Sequence, residues 1–431
     1  MGSVPVPGDT EIALRAVVFG ALGQGTTHVA GLPRGDTLAA LARGLRALGV
    51  RVDDASPSAW AIEGVGARGL RAPATDLDCG NSIAVAGILC ALLAGQPFGS
   101  RVTGGEALGR ADLASFVAPL RLRGGIVIAP ARPGDAAVRV PLSLGALPEG
   151  RALSPLEHAS ELADAGVKTA LLLSGLWAEG PTILREPSVS ADHTERMLAA
   201  LGAPIRSTGS VIRLDPVGSA APWPAFRMTV PGDPSAAAYL VAAAQVVTGS
   251  RVTVRAVATN PTRSGFLDLA RDLGAGLAVE AHGEEVGEPV ADLHAWCAEP
   301  RAATFGGEPL ERAGDALPAA CAIAAVAAGT TRIRASDDAG ETLAATAAAL
   351  RAFDVECVAG PDGVAIRGRR ALAPADVDAG GDARVAMAAC VLALAAAGPS
   401  RIRDAGSIAA RFPKFVATLR ALGARIEVEG P

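Results

Sequence analysis

The 431 residues carry 50% apolar and 19% charged side chains with a formal net charge of −5; this excludes a disordered chain, and no basic stripe exists to displace counterions from a polynucleotide. The length predicts two or three cores rather than one. Aromatic residues make up only 3%, with a single Tyr, so the cores must be built from small aliphatic groups and close-packed Ala-faced helices, and a stacking platform for bases is excluded.

Lys occurs only at positions 168 and 414, so nearly all the basic residues are Arg. The six cysteines form no CxxC pair and several lie in Ala/Leu-rich runs, which reads as free thiols in a reducing compartment. The five His are dispersed without ligand spacing. The opening MGSVPVPGDTEIALR lacks a signal-type leader, and the apolar runs are too short and too punctuated to span a bilayer. The expectation is a cytoplasmic protein, a monomer, without cofactor, metal, nucleic acid or membrane, whose partner is a small anionic molecule.

Taken along the chain, one phrase recurs: LRALGVRV at Leu45, LRLRGGIVI at Leu120, LAALGAPIR at Leu198, LARDLGAGLAV at Leu269, LRAFDVECV at Leu350 and LRALGARIEV at Leu419. Each predicts an amphipathic helix that closes on Gly, or on Asp354 in the fifth copy, and turns into a strand. An apolar stretch precedes each copy, opening on Asp9, near Gly80, near Gly166, on Asp233, on Gly314 and on Gly381. Helices apolar all round belong inside a layer. The unit is apolar helix, strand, amphipathic helix, strand, six times over, and the phrase PGD at Pro7 and Pro231 marks the start of each half. Buried helices starting at corresponding places would gather N-termini, and hence N–H groups and positive dipole ends, into a cleft that attracts anions.

The phrases VKTALLLSGLWAEGPTILREPSVSADHTERML, VPGDPSAAAYLVAAA, NPTRSGFLDLARDLGA, DALPAACAIAA, DARVAMAACVLALAAAGPSRI and RFPKFVATLRALGA resemble, in order and over the full length, the 5-enolpyruvylshikimate-3-phosphate synthase (EPSP synthase) family. The resemblance implies a two-domain inside-out α/β fold of the enolpyruvyltransferase type, six βαβαββ-like repeats with three per domain. It places an upper domain at 8–228, a lower domain at 1–7 plus 229–431, and the active site in the cleft between them.

Residue by residue the same resemblance implies a divergent site. PGDTEIALR places Thr10 where a catalytic Lys is expected, Glu11 where a substrate-binding Ser is, and Arg15 on the Arg that holds the substrate carboxylate. CGNSIAVAG keeps Asn81 but puts Ile83 on a Gly and Gly87 on an Arg; Arg110 lies one residue from another expected Arg. Asp164-Ala165-Gly166 stands on the Ser-Ala-Gln phosphate cradle, and Ser190 on a phosphate-contacting Ser. The acid, base and clamp segment VKESDR corresponds to Asp337–Thr342, so its Lys, Glu and Arg are gone. Asp315 and Arg384 match their counterparts, and Arg411 neighbours an expected Lys. Loss of fixed cations weakens phosphoryl and carboxylate recognition.

Three functions follow. The first is an enzyme that keeps a seat for a shikimate-like ring acid without using phosphoenolpyruvate, a lyase removing water from shikimate by 1,4-elimination. Arg15 holds the carboxylate, Glu11 or Glu341 takes a ring proton, and Asp315 or Lys168 assists the departing hydroxyl. In this scheme Thr10, Asn81, Asp164, Ser190, Arg384 and Arg411 line the binding site. The second is a true enolpyruvyl (1-carboxyvinyl) transferase with Arg110 and Arg411 restoring the anion site, and the third is a non-catalytic ligand-binding homologue. Simpler roles stand beside these: Glu11 and Glu341 as carboxylates at helix starts, Lys168 as an ion-pair residue, Asp315 and Asp382 as caps, His193 as a fixer of local structure.

Overall fold

The computed structural model describes residues 2–66, 68–130, 134, 136–217, 223–334, 340–360 and 363–430. Two compact units emerge: an N-terminal unit of Thr10–Val230 with Glu285–Glu288, and a C-terminal unit of Met1–Asp9, Pro231–Glu284 and Pro289–Pro431. Among the described residues each unit holds three small sheets, all four-stranded and mixed except one two-stranded parallel pair in the C-terminal unit.

In the N-terminal unit the apolar helices are α1 (Thr10–Leu22), α2 (Ile83–Leu93) and α3 (Ala165–Gly175), followed by the amphipathic α4 (His193–Ala200). Every residue of α1 from Ile12 to Leu22 is buried, Arg15 included. Two of the helix starts are capped by side chains: Ser82 accepts the N–H of Val85, and Asp164 those of Gly166 and Val167. Each capped end satisfies donors that no helical carbonyl can reach.

The C-terminal unit repeats the plan with α5 (Pro234–Val246), α6 (Leu317–Ala324) and α7 (Ala383–Ala393), which pack on one another in one Ala-rich core. All residues of α5 are buried. Parallel strands joined by a crossover through a buried helix recur: Leu77–Asp78 with Ser100–Thr103 through α2, Leu156–Ala159 with Thr182–Arg185 through α3, Thr304–Phe305 with Thr330–Ile333 through α6, and Asp376–Asp378 with Arg401–Arg403 through α7. The phrases at Pro7 and Pro231 meet within this unit: Asp9 N–H donates to Pro231 O and Asp233 N–H to Pro7 O, both at 2.8 Å.

The recurring phrase acts as a hinge from helix to strand. Its Gly residues 49, 124, 202, 274 and 423 have φ between +70° and +105°, and Asp354 adopts +63°. That left-handed conformation ends the helix and re-aims the chain, and Asp is one of the few residues with a Cβ that tolerate it. The sixth copy departs from the expectation: among the described residues Ala424–Glu429 joins no ladder. Arg420 binds the Ile426 carbonyl at 2.8 and 2.6 Å instead.

The six cysteines are free, and Cys79, Cys90, Cys321 and Cys357 are buried. Burial, with the charge of Asp78 adding to it, pushes the Cys79 thiol up to about 12. Among the described residues no helix is long and apolar enough to cross a membrane.

Candidate active site

The start of α1 puts Thr10 at the surface, Glu11 in the first turn and Arg15 one turn further in. The Arg15 side chain is only 2% exposed. Its Nη1 donates to Oε2 and to the backbone oxygen of Glu11, both at 2.8 Å, its Nε to Thr194 Oγ1 at 2.8 Å, and its Nη2 to Thr169 Oγ1 at 2.6 Å. The two hydroxyls lie 2.8 Å apart, and Thr169 also donates to Ala165 O at 2.6 Å. The guanidinium therefore ties α1 to α3 and α4. Four of its five N–H donors are committed inside the unit, so the expected open seat for a ring carboxylate is filled by the chain's own Glu11.

Lys168, on α3, is likewise closed in. Its Nζ reaches Glu186 Oε2 at 3.0 Å, Glu195 Oε1 at 2.8 Å and Ser190 O at 3.2 Å, with the Lys168 and Glu186 side chains both 2% exposed. An ammonium has three N–H groups, and all three are spent here. Assistance to a leaving hydroxyl, expected from the sequence, would break this cluster; its geometry is that of the ion-pair role. Ser190 Oγ donates to Glu186 Oε1 at 2.6 Å. Burial outweighs Lys168 at Glu195 and holds its carboxyl above the usual range.

Asn81 is exposed and its Oδ1 accepts Ala107 N–H, fastening the turn after Gly104. Arg110 is exposed and pairs with Glu106 one turn back. His193 Nδ1 lies 2.8 Å from Glu288 Oε1, both side chains buried.

In the C-terminal unit, Asp315, Arg384 and Arg411 come together, as their motifs suggest. Arg384 Nη1 reaches Asp315 Oδ1 at 3.1 Å, while its Nε and Nη2 grip Asp382 at 3.0 and 2.7 Å. Arg411 Nη1 pairs with Asp315 Oδ2. Tyr239 Oη donates to the Asp315 backbone oxygen at 3.0 Å. These groups line a recess with Asp233, Ser235, Met387 and Phe412. Burial alone would raise the Asp315 carboxyl, but the charges and hydrogen bonds of Arg411 and Arg384 override it and leave it below the usual range. The hydrogen bond to Asp382 raises Arg384 further and fixes it as a cation. Asp233 moves the other way: burial, with the charge of Asp9 added, lifts it to about 6 against the pull of Arg263.

Glu341 is exposed in the first turn of the helix Gly340–Ala352, and Asp337–Ala339 of the same motif lie outside the described residues. Among the described residues no group of three or more His, Cys, Asp or Glu side chains could hold a metal ion.

A family model described as "EPSP synthase (3-phosphoshikimate 1-carboxyvinyltransferase)" matches residues 1–419. The chain belongs to the EPSP synthase family. It is 37% identical over 422 residues to a 3-phosphoshikimate 1-carboxyvinyltransferase of Geobacter sp. (strain M21), covering 96% of this chain and 95% of the relative. An EPSP synthase structure from Acinetobacter baumannii superposes with a TM-score of 0.93 at 32% identity, over 100% of this chain and 97% of that one. The enolpyruvyl transferase NikO from Streptomyces tendae, at TM-score 0.73 and 17% identity over 99% and 95% of the two chains, shares the fold. The enolpyruvyltransferase-type α/β fold that the resemblance implies is thus the fold of this chain.

Several residues that shape these clusters carry no motif. Thr169 and Thr194 are unremarkable in sequence, and only the packing of α3 and α4 reveals that they hold Arg15. Asp382 reads as a cap, and it is one, since it accepts Arg384 N–H at 2.8 Å; its grip on the Arg384 side chain is the added role. The Glu11–Arg15 pair did leave a signal: carboxylate and guanidinium four apart on one helix meet.

Proposed function

We propose that this EPSP synthase family member transfers a 1-carboxyvinyl group from phosphoenolpyruvate to a hydroxyl of a ring acceptor. The observation that carries this reading is the convergence of Arg384 and Arg411 on the carboxylate of Asp315. Two guanidinium groups aimed at one planar anion form a template for the carboxylate of an enolpyruvyl group. When a ligand carboxylate takes those two partners, burial acts on Asp315 without opposition and its proton affinity rises. Asp315 is then the group to accept the proton of the acceptor hydroxyl.

Dehydration of shikimate, the reading the sequence favoured, is less well supported. Its carboxylate seat, Arg15, and one of its two candidate helpers, Lys168, are occupied by Glu11, Glu186 and Glu195, and the similar proteins are named as transferases. The test is to incubate the purified chain with phosphoenolpyruvate and hydroxylated ring acceptors, and to follow phosphate release and diene absorbance together. Acceptor-dependent phosphate release, lost in Arg384→Ala, supports transfer; diene formation from shikimate without phosphoenolpyruvate overturns it.

A further inference from the structure

Moving a 1-carboxyvinyl group from phosphoenolpyruvate to a hydroxyl needs two proton movements. The acceptor O–H must lose a proton to a base, and the C3 methylene must gain one from an acid, because C2 becomes electrophilic once C3 is protonated. Asp315 answers the first need. The second calls for another group.

The recess of the C-terminal unit is lined by Asp233, Ser235, Tyr239, Asp315, Arg384 and Arg411 among its polar side chains. Guanidinium groups keep their protons at any working pH. Ser235 offers an alcohol, which is not among the side chains that titrate. The Tyr239 phenol spends its proton on the Asp315 backbone oxygen at 3.0 Å, and burial, with the charge of Asp315 added, holds it well above the usual range. Asp315 faces two guanidinium groups, which override burial and keep it ionised. Asp233 remains.

Its surroundings are of the opposite kind. Asp233 Oδ1 accepts the N–H of Ser235 at 2.8 Å, which fixes the side chain at the start of α5, while Oδ2 takes no hydrogen bond from the described residues. Burial, then the charges of Asp9 and Asp315, favour the protonated form against Arg263 and the Ser235 N–H, and the carboxyl stands at about 6. Two carboxyl groups in one recess whose environments push them apart are suited to be acid and base. Position agrees with this. A ligand carboxylate that displaces Asp315 from Arg384 and Arg411 has its C3 only two bonds from the carboxyl carbon, beside the same recess that Asp233 lines.

We infer that Asp233 is a catalytic residue, the general acid that protonates C3 of the enolpyruvyl group while Asp315 takes the acceptor proton. In the first half the Asp233 O–H bond breaks as a C3–H bond forms, the acceptor oxygen bonds to C2, and the hydroxyl proton goes to Asp315. In the second half the Asp233 carboxylate takes a proton back from C3, that C–H electron pair restores the double bond, and the C2–O bond to phosphate breaks. The phosphate leaves with the proton held by Asp315, and both carboxyl groups end as they began. The assignment deepens the transfer reading and rests on it.

The experiment follows the full chain with phosphoenolpyruvate and 3-phosphoshikimate in deuterium oxide. The wild type is expected to place deuterium at C3 of the product, and its phosphate release to decline along an alkaline limb that begins at or above about 6. Asp233→Asn keeps an oxygen for the Ser235 N–H. It is expected to slow phosphate release by roughly 100-fold or more, to lose the alkaline limb, and to bind phosphoenolpyruvate in calorimetry no more weakly than the wild type. Asp233→Glu, which restores a carboxylic acid, is expected to recover about tenfold of the lost rate. Product free of deuterium at C3, or release by Asp233→Asn within about twofold of the wild type, overturns the assignment and leaves the transfer reading standing. Loss of binding together with release in Asp233→Asn, with no recovery in Asp233→Glu, makes Asp233 a helix cap alone and also overturns it. A wild type that releases no phosphate with any hydroxylated ring acceptor overturns both.

Discussion

Arg384 faces Asp315 at 3.1 Å while Asp382 clasps the other edge of the same guanidinium. One cation thus serves two carboxylates, and Arg411 adds a second cation on Asp315. The four charges cancel, and any ligand carboxylate that enters the recess must exchange with Asp315 for Arg384 Nη1 and Arg411.

Asp315→Asn separates binding from turnover. The amide keeps the shape but releases both guanidinium groups from a charged partner, so phosphoenolpyruvate is expected to bind about tenfold more tightly, the scale of one charge-assisted hydrogen bond. Turnover is expected to fall by roughly 100-fold or more, because the variant lacks the group proposed to take the acceptor proton. Titration calorimetry and phosphate release report the two effects independently. Equal losses in both would refute the exchange.

Lys168→Ala is a stability experiment. Removing the ammonium leaves Glu186 and Glu195 buried side by side, and breaking one partner of a buried ion cluster costs about 3–5 kcal/mol. Glu195 already binds its proton more tightly than an ordinary carboxyl because of burial, and loss of Lys168 strengthens that tendency. A group whose folded-state pKa is raised loses stability as pH rises through that value. The deficit of the variant in urea denaturation is therefore expected to be larger at pH 8 than at pH 5. A pH-independent deficit would point to lost packing alone.

The fold was legible because its repeat is written in backbone-specific residues. Gly49, Gly124, Gly202, Gly274 and Gly423 each stand where the chain requires positive φ, and the all-apolar helices between them can only be interior. Asp315 and Arg384 stood out because each sits in an intact motif, but the ion pair between them was not written in either motif. Arg15 was only half legible: its motif predicted a ligand contact, while the Glu11 four residues earlier, which fills it, was weighed as a base. Lys168 was legible as an ion-pair residue but its partners were not, because Glu186 and Glu195 come from outside α3, and no local spacing reports a contact made by tertiary packing.

The fifth repeat offers a backbone test. Asp354 takes φ +63° where the other copies use Gly, and Arg369 pairs with its exposed carboxylate. Asp354→Gly and Asp354→Ala both delete that surface pair, so their difference isolates the backbone. Gly is expected to be the more stable by about 1 kcal/mol, the cost of a Cβ in the left-handed region. Thermal unfolding of the two variants side by side measures it, and equal midpoints would show that the turn relaxes.

Asp233 gives the chain a pH dependence of defined sign. Its carboxyl is lifted from 3.8 to about 6 by burial and by the neighbouring charge of Asp9. It therefore binds its proton more tightly in the folded state, and the stability it contributes is fully present below pH 3.8 and lost as pH rises through about 6. Asp233→Asn keeps an oxygen for Ser235 N–H, which Asp233 Oδ1 accepts at 2.8 Å, but removes the titration. Between pH 4 and 7 the variant is expected to lose less stability than the wild type, by on the order of 3 kcal/mol. Urea denaturation at four pH values across that window checks both size and direction. Parallel curves would mean that Arg263 and not burial governs Asp233, and that the recess beside Tyr239 is better solvated than its geometry suggests.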